Sequence, residues 1–282
     1  MEKHFDIPHA DKVVGEKGSE NQAYLEGYVT GIFQNQGVKK IEGLELEKSE
    51  RDITIIKFAE EAVTQYMKQY GRKKDIVLPL NKVHLLKEGG TKEYTEGKLS
   101  EGGFSGKIGS VLVDRVKSDI EFSLFAFHEL FHSKSFHILQ RTKADAQGRQ
   151  EITEYRGGFV VTTRDGKTDY FYDVQEAIIG LMTKRFYEDY VTTSPLFKDE
   201  LDASRTAINL GSEREMRKLD AFIDELWKEN AEYFKTREEI LGLFIDAQVN
   251  GKMLKVARLI EKTFGKGSFR ELAEETSMKR GG

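Results

Sequence analysis

The chain has 282 residues, 38% of them hydrophobic and 33% charged, with a formal net charge of −4 at pH 7. This is the composition of a globular chain long enough for one large or two modest domains, and it offers no electrostatic case for binding nucleic acid or an anionic membrane. There is no cysteine, which excludes disulfides and thiolate metal sites and leaves histidine and carboxylate as the ligands of any zinc site.

No apolar run approaches the roughly 20 residues that span a bilayer. The opening residues Met1 to Asp6 carry mixed charge with no apolar segment after them, so no signal peptide is expected and the cytoplasm is the default compartment. Residues 1–45 contain six glycines and read as an N-terminal arm, within which Tyr24 to Phe33 fits a strand or a short helix equally well. Ser49 to Tyr70 is an amphipathic helix, with Ile53, Ile56, Ala59, Ala62, Val63, Tyr66 and Met67 at helical spacing and Gly71 closing it. Asp75 to Leu80 reads as a strand and Val83 to Leu86 as a second short one. His84 lies alone there and is expected to pack or face water, not to bind metal. The glycine-rich stretch Glu88 to Gly106 reads as a loop, and Lys107 to Val116 as a strand around Ile108, Val111, Leu112 and Val113.

Directly after that strand, Ser118-Asp119-Ile120-Glu121 forms an S-x-x-E capping box and starts a helix. Ile120, Leu124, Phe127 and Phe131 then follow helical spacing. Inside this aromatic run stands His128-Glu129-Leu130-Phe131-His132, the pattern H-E-x-x-H. Residues four apart share a helix face, so both imidazoles can point at one metal ion while Glu129 reaches a water on it. Two histidines in an apolar helix with no such task would carry a desolvation penalty. Neutral imidazole suits Zn²⁺, and a zinc-bound water loses its proton near neutral pH to a neighbouring carboxylate.

Beyond the helix, Arg141 to Thr153 is polar and loop-like. Phe159 to Arg164 and Lys167 to Tyr172 flank Asp165-Gly166, a hairpin signal. A two-residue loop pairs Phe159 with Tyr172 and Val161 with Tyr170. The hairpin leads into a helix from Asp173 to about Tyr190. After Pro195 the pattern is helical: 196–210, 212–234, 236–250, 251–264 and 268–277, punctuated by Gly211, Gly251 and Gly265 or Gly267. Trp227, Phe222, Leu226, Phe234, Leu241, Phe244 and Ile245 are core candidates. The expected class is α+β: a small mixed sheet with an active-site helix over residues 46–194, followed by a helical subdomain over 195–282.

The metzincin pattern H-E-x-x-H-x-x-G-x-x-H needs glycine at 135 and histidine at 138. The chain has Ser135 and Ile138, and His137 is one residue out of step, about 100° around the helix. No histidine follows His137. Gln175-Glu176-Ala177-Ile178, whose Glu176 lies 44 residues after His132, resembles the Asn-Glu-Ala-Ile motif of the gluzincins, the thermolysin-like zinc metallopeptidases. The resemblance covers about residues 103–190 and is nearer the small gluzincin-like peptidases. It implies a zincin-like fold, a Zn²⁺ cofactor held by His128, His132 and Glu176, and Glu129 as general base. It also implies a substrate-facing edge strand before the metal helix, either Gly102 to Ser105 or Ile108 to Val113. A tyrosine or histidine that stabilises the oxyanion is implied as well. Tyr170, Tyr172, Tyr187 and Tyr190 are candidates, with Tyr187 favoured for lying eleven residues after Glu176 on the same face, and Arg156 is a weaker one. One departure is Gly180, where thermolysin-like chains often place an aspartate that orients a histidine ligand.

The expected function is therefore a zinc-dependent peptidase acting on a peptide or protein substrate. A zinc-retaining binding or regulatory protein without hydrolysis is the alternative, and a zinc-free helical interaction protein the third reading. An intact Glu129 speaks against the second, since a structural site has no use for a base.

Overall fold

The computed structural model describes residues 11–14, 41, 43–73, 76–99, 101–105, 109–141, 152–203 and 212–279. The predicted element at Tyr24 to Phe33 and most of the 142–151 connection lie outside them. The architecture is α+β, with two small sheets among helices.

Strand β1 (Lys12–Val14) is followed by helix α1 (Glu50–Gln69). Ser49 caps α1 in a complete capping box with Asp52: each side chain accepts from the other's backbone N–H. Ile55, Ile56, Ala59, Ala62, Val63, Tyr66 and Met67 form the buried face of this helix. The strand predicted over Asp75 to Leu80 is absent where it is described. The Leu78 N–H donates to the Glu60 side chain at 3.1 Å, not to a ladder partner. Pro79, which has no N–H, opens a 3₁₀ turn over Leu80–Lys82.

Next come β2 (Val83–Lys87), the short helix α2 (Gly90–Tyr94), β3 (Gly102–Ser105) and β4 (Ser110–Arg115). They form a three-stranded sheet in the order β2-β4-β3, with β2 parallel and β3 antiparallel to β4. The glycine-rich loop thus contains a helix and a strand, and that strand is the sheet edge. Five of the six residues of β4 are fully buried.

Helix α3 (Asp119–Lys134) packs on α1 and on this sheet. Ser118 is its N-cap, accepting from the Glu121 N–H at 3.0 Å. The remaining first-turn donors are taken from a distance: Glu200 accepts from Asp119 N and Ile120 N at 3.0 and 3.2 Å. A carboxylate at a helix N-terminus also complements the macrodipole.

The chain leaves α3 at Ser135 and enters β5 (His137–Arg141). Then follow β6 (Ile152–Gly157), β7 (Val160–Thr162) and β8 (Thr168–Tyr170). The predicted hairpin register is present, with Val161 opposite Tyr170. Its loop is longer than two residues: Gly166 N–H donates to the Thr163 carbonyl, and Thr163 N–H to the Thr168 carbonyl. Phe159 and Tyr172 do not pair, because Phe171 adopts a left-handed conformation (φ 62°) and turns the chain into α4 (Tyr172–Phe186). Phe171 is held there between the rings of Phe159 and Phe269, at 5.4 and 4.7 Å, the packing that such backbone strain requires.

A π-helical turn (Tyr187–Val191) ends α4. Helices α5 (Lys198–Ala203), α6 (Glu213–Glu229), α7 (Arg237–Asn250), α8 (Met253–Phe264) and α9 (Ser268–Glu275) follow, and β9 (Met278–Lys279) returns to β8. The second sheet runs β1-β5-β6-β7-β8-β9, antiparallel except for the β1–β5 pair. One continuous apolar cluster runs from Ile55 in α1 to Ala273 in α9, through Phe127 and Phe131 of α3, Ile178 of α4 and Phe244 of α7. Leu226, Leu241, Phe244 and Ile245 are buried in it as predicted, with Trp227, Phe222 and Phe234 packed against its margin. Among the described residues no helix is long and apolar enough to cross a membrane.

Candidate metal centre

Helix α3 is apolar nearly all round, the pattern of a helix buried on every side. Between Phe122 and Lys134, only Phe125, His128, Glu129 and His132 are not fully buried. These four form one stripe at i, i+3, i+4 and i+7, and all of them line a single cavity of about 580 Å³. Helix α4 turns a matching stripe to the same space, Tyr172, Asp173 and Glu176. The edge strand β3 forms a third wall, and α6 and α7 add Glu215 and Gln248.

In this cavity His128, His132 and Glu176 converge. The Nε2 atoms of the two histidines are 3.2 Å apart. His128 Nε2 lies 3.3 Å from Glu176 Oε2, and His132 Nε2 lies 3.5 Å from Glu176 Oε1. Donors on a tetrahedron with zinc bonds of 2.0–2.1 Å would be separated by about 3.3 Å; the two imidazoles stand near that separation, and each stands near it from one carboxylate oxygen, His128 from Oε2 and His132 from Oε1. The donor chemistry fits as well: two imidazoles and one carboxylate, with a fourth position left open. The described residues contain one such group.

Glu129 stands apart from this set. Its neighbour is the edge strand: a Cβ built on Gly102 would lie 2.9 Å from Glu129 Oε1. Glycine there lets β3 approach the carboxylate. The two acids of the cavity are driven in opposite directions. Burial, and then the charge of Glu176, push the Glu129 carboxyl above the usual range, against the pull of both histidines. Burial also opposes ionisation of Glu176, but the charges and hydrogen bonds of His132 and His128 outweigh it and hold that group far below the usual range. Burial likewise disfavours a charged His128, yet its hydrogen bond to Glu176 and the charge of Glu129 raise its pKa on balance. Paired carboxylates pulled apart in this way take different roles.

His132 has Gln175 as a neighbour, a contact that sequence reasoning did not single out. Gln175 Nε2 is 3.3 Å from His132 Nδ1, while its Oε1 accepts from Phe159 N and Val160 N at 3.0 and 3.2 Å. Gln175 therefore ties the hairpin to α3. Position 180 does not face the histidines. A Cβ on Gly180 would lie 2.9 Å from Met216 Sδ and 3.6 Å from Ser212 Cβ, so glycine there admits the close approach of α6 and its N-terminal flank.

Other predicted residues are placed elsewhere. Tyr187 is not among the cavity residues. Eleven residues of helix carry it about 16 Å along the axis from Glu176, where it packs against the core margin. Tyr190 packs edge-on or tilted among Phe58, Tyr66 and Phe186, and Tyr170 lies outside the cavity lining too. Tyr172 is the tyrosine in the cavity, one turn before Glu176, a placement the four-residue spacing already offered. The charge of Glu176, with burial and the charge of Glu129, raises its hydroxyl pKa well above the ordinary value, so it stays an O–H donor. Arg156 braces α7: its guanidinium donates to the carbonyls of Gly251 and Ala247 and covers the Phe136 ring, and burial lowers its pKa to about 10. His84 pairs with Glu45 at 3.0 Å. His137 lines the cavity from β5, with Nε2 donating to the His132 carbonyl at 2.9 Å and Nδ1 at 2.6 Å from Glu154. Both of its nitrogens are thus occupied. Of the two candidate edge strands, β3 is the edge and β4 is central.

No protein-family model, curated protein or solved structure matches this chain.

Proposed function

We propose that this protein is a zinc-dependent peptidase with a zincin-like catalytic layout of the gluzincin kind, acting on an extended stretch of peptide. The observation that carries the reading is the convergence of His128, His132 and Glu176, each imidazole within 3.5 Å of the other and of one Glu176 oxygen, with Glu129 beside them, outside the set and against an edge strand.

Each residue then has a task. His128, His132 and Glu176 hold the ion. Zinc, when bound, acidifies a water and polarises the carbonyl to be cleaved. Strand β3, which ends its sheet, is where an extended substrate would add as a further strand. Glu129 takes a proton from the attacking water and returns it to the leaving amine; a carboxyl raised by burial is better matched to that exchange than an exposed one. The Tyr172 hydroxyl donates to the carbonyl oxygen as it gains charge. The carboxylates Glu101, Asp169, Asp173 and Glu215 around the cavity add a negative field that favours a cation at its centre.

Metal analysis of the purified protein should find one zinc per chain. Hydrolysis of an unfolded protein should be blocked by a chelator and restored by added zinc. Stoichiometric zinc without hydrolysis of any peptide would overturn the peptidase reading and leave a binding protein. Absence of metal after growth in zinc would overturn the centre itself.

A further inference from the structure

The register of the second sheet shows which of its side chains turn toward the candidate centre. Thr162 of β7 lies opposite Asp169 of β8, and Asp169 lies opposite Met278 of β9. Residues directly opposite in antiparallel strands share one face of the sheet. All three line the cavity that holds His128, His132 and Glu176. This face is therefore one wall of the cavity, and β9 is the edge of that wall.

The hold on β9 is light. The strand has two residues, and both are exposed, Met278 by 37%. The chain is fixed as far as Ser277. The Thr276 carbonyl accepts from Asp173 N at 3.1 Å, at the start of α4, and Ser277 Oγ donates to the Glu274 carbonyl at 2.8 Å. Beyond that point, the polar contacts of Met278 and Lys279 among the described residues are those of the ladder with β8. A short, exposed strand with no buried apolar face belongs to the part of a fold that opens most readily. Covering a sheet edge is one use of such a strand, but that task needs no side chain in the cavity. Met278 is set there by its register opposite Asp169.

We infer, on the peptidase reading above, that the edge of β8 is a second docking site for an extended peptide substrate, and that β9 is the chain's own occupant of it, displaced as the peptide enters. The mode of binding is the one β9 already displays. It runs antiparallel to β8, with its main chain on the ladder and the Met278 side chain in the cavity. A peptide that adds to a sheet edge binds in the same way, main chain on the ladder and alternate side chains in pockets. Methionine, unbranched and flexible, suits a place that other side chains must also be able to fill.

The test fastens and frees β9 in the full chain. Thr168 and Lys279 lie opposite each other, on the face away from Met278, because successive side chains alternate. The chain has no cysteine of its own, so Thr168→Cys made together with Lys279→Cys gives one disulfide that fastens β9 to β8 and that a phosphine reductant undoes. Met278→Gly acts the other way, weakening the strand and vacating its place in the cavity. Each is combined with Glu129→Gln, so that peptide binds without being cleaved. The probe is a fluorescein-labelled peptide with the sequence of residues 276–282, followed by anisotropy. Affinity should fall by about tenfold when the disulfide forms, return on reduction, and rise by about tenfold in Met278→Gly. With Glu129 intact, KM for an unfolded protein should rise by a similar factor on oxidation. Equal affinity in the oxidised and reduced states, no gain in Met278→Gly, or an unchanged KM in an active protein would each overturn the inference. A difference in zinc content between the two states would overturn it as well, by placing the effect at the metal. Absence of hydrolysis in both states would count against the peptidase reading alone, since the anisotropy still decides whether β8 takes a strand.

Discussion

Helices α3 and α4 give the cavity stripes of similar make, three or four side chains at helical spacing. They reach it by different means. The α3 stripe is local: a capped start, an apolar run and two histidines four residues apart all lie within Ser118 to Ser135. The α4 stripe depends on everything between, because Glu176 meets the histidines only after β5, β6 and the β7–β8 hairpin have returned the chain and Phe171 has turned it. The difference teaches that the proposed base and two of the proposed ligands can be written into one helix, whereas closure of the proposed metal set is a tertiary event.

The largest effects should come from breaking either half of that set. His128→Ala and Glu176→Ala each leave two protein ligands, which hold zinc poorly, so both metal content and hydrolysis should fall to background. Glu154→Ala is the contrast. That carboxylate meets His137, not the ligand set, so stoichiometric zinc should remain. Retention of zinc by Glu176→Ala at sub-micromolar free metal would mean that α4 does not close the site.

Within α3, base and ligands should separate. Glu129→Gln is nearly isosteric and leaves His128, His132 and Glu176 untouched, so zinc content and fold should match wild type. Hydrolysis should drop by about 10²–10⁴, the usual worth of general-base assistance. A fully active variant would assign the base elsewhere, and a zinc-free one would move Glu129 into the ligand set.

A smaller effect separates two tyrosines of one chain segment. Tyr172→Phe should lower kcat by about 10²–10³ with zinc retained, the usual loss for one donor to a developing oxyanion. Tyr187→Phe should leave kcat within about twofold, since Tyr187 lies outside the cavity. The reverse result would restore Tyr187 to the role that the sequence first suggests for it.

These contrasts also mark how far the sequence could be read. His128, Glu129 and His132 were legible because the four-residue period alone puts them on one face. The hairpin register was legible from Asp165-Gly166, since turn chemistry is local. Glu176 was legible through a family resemblance and not from its neighbours. The strands β1, β5, β6 and β9 were not legible: β1 and β9 are three and two residues long, and their partners lie far off in the chain. Glu200 as a cap on α3 and Gln248 as an acceptor for Phe159 N are side chains whose partners more than 80 residues away only the fold supplies. The strand expected at Asp75 to Leu80 failed where Pro79 and a side-chain acceptor on α1 took over the backbone.

The smallest predicted effect tests how the two helices communicate. Gln175 belongs to α4 but faces a ligand on α3, and its other end holds the backbone between β6 and β7. In the proposed centre His132 binds zinc through Nε2, so its Nδ1 carries the proton, and the Gln175 amide N–H₂ that faces it cannot accept it. Gln175→Ala should therefore leave zinc affinity within about threefold of wild type, since all three proposed ligands remain and no accepting partner is lost. Gln175→Glu should raise zinc affinity by about tenfold. A glutamate keeps an acceptor for the N–H groups of Phe159 and Val160, and it places a carboxylate against the His132 Nδ1–H, which raises ligand basicity. Zinc affinity is measured by competition with a chromogenic chelator, beside circular dichroism to establish that each variant is folded. A loss of about tenfold in the alanine variant with no gain in the glutamate variant would mean that Gln175 supports the imidazole as it stands.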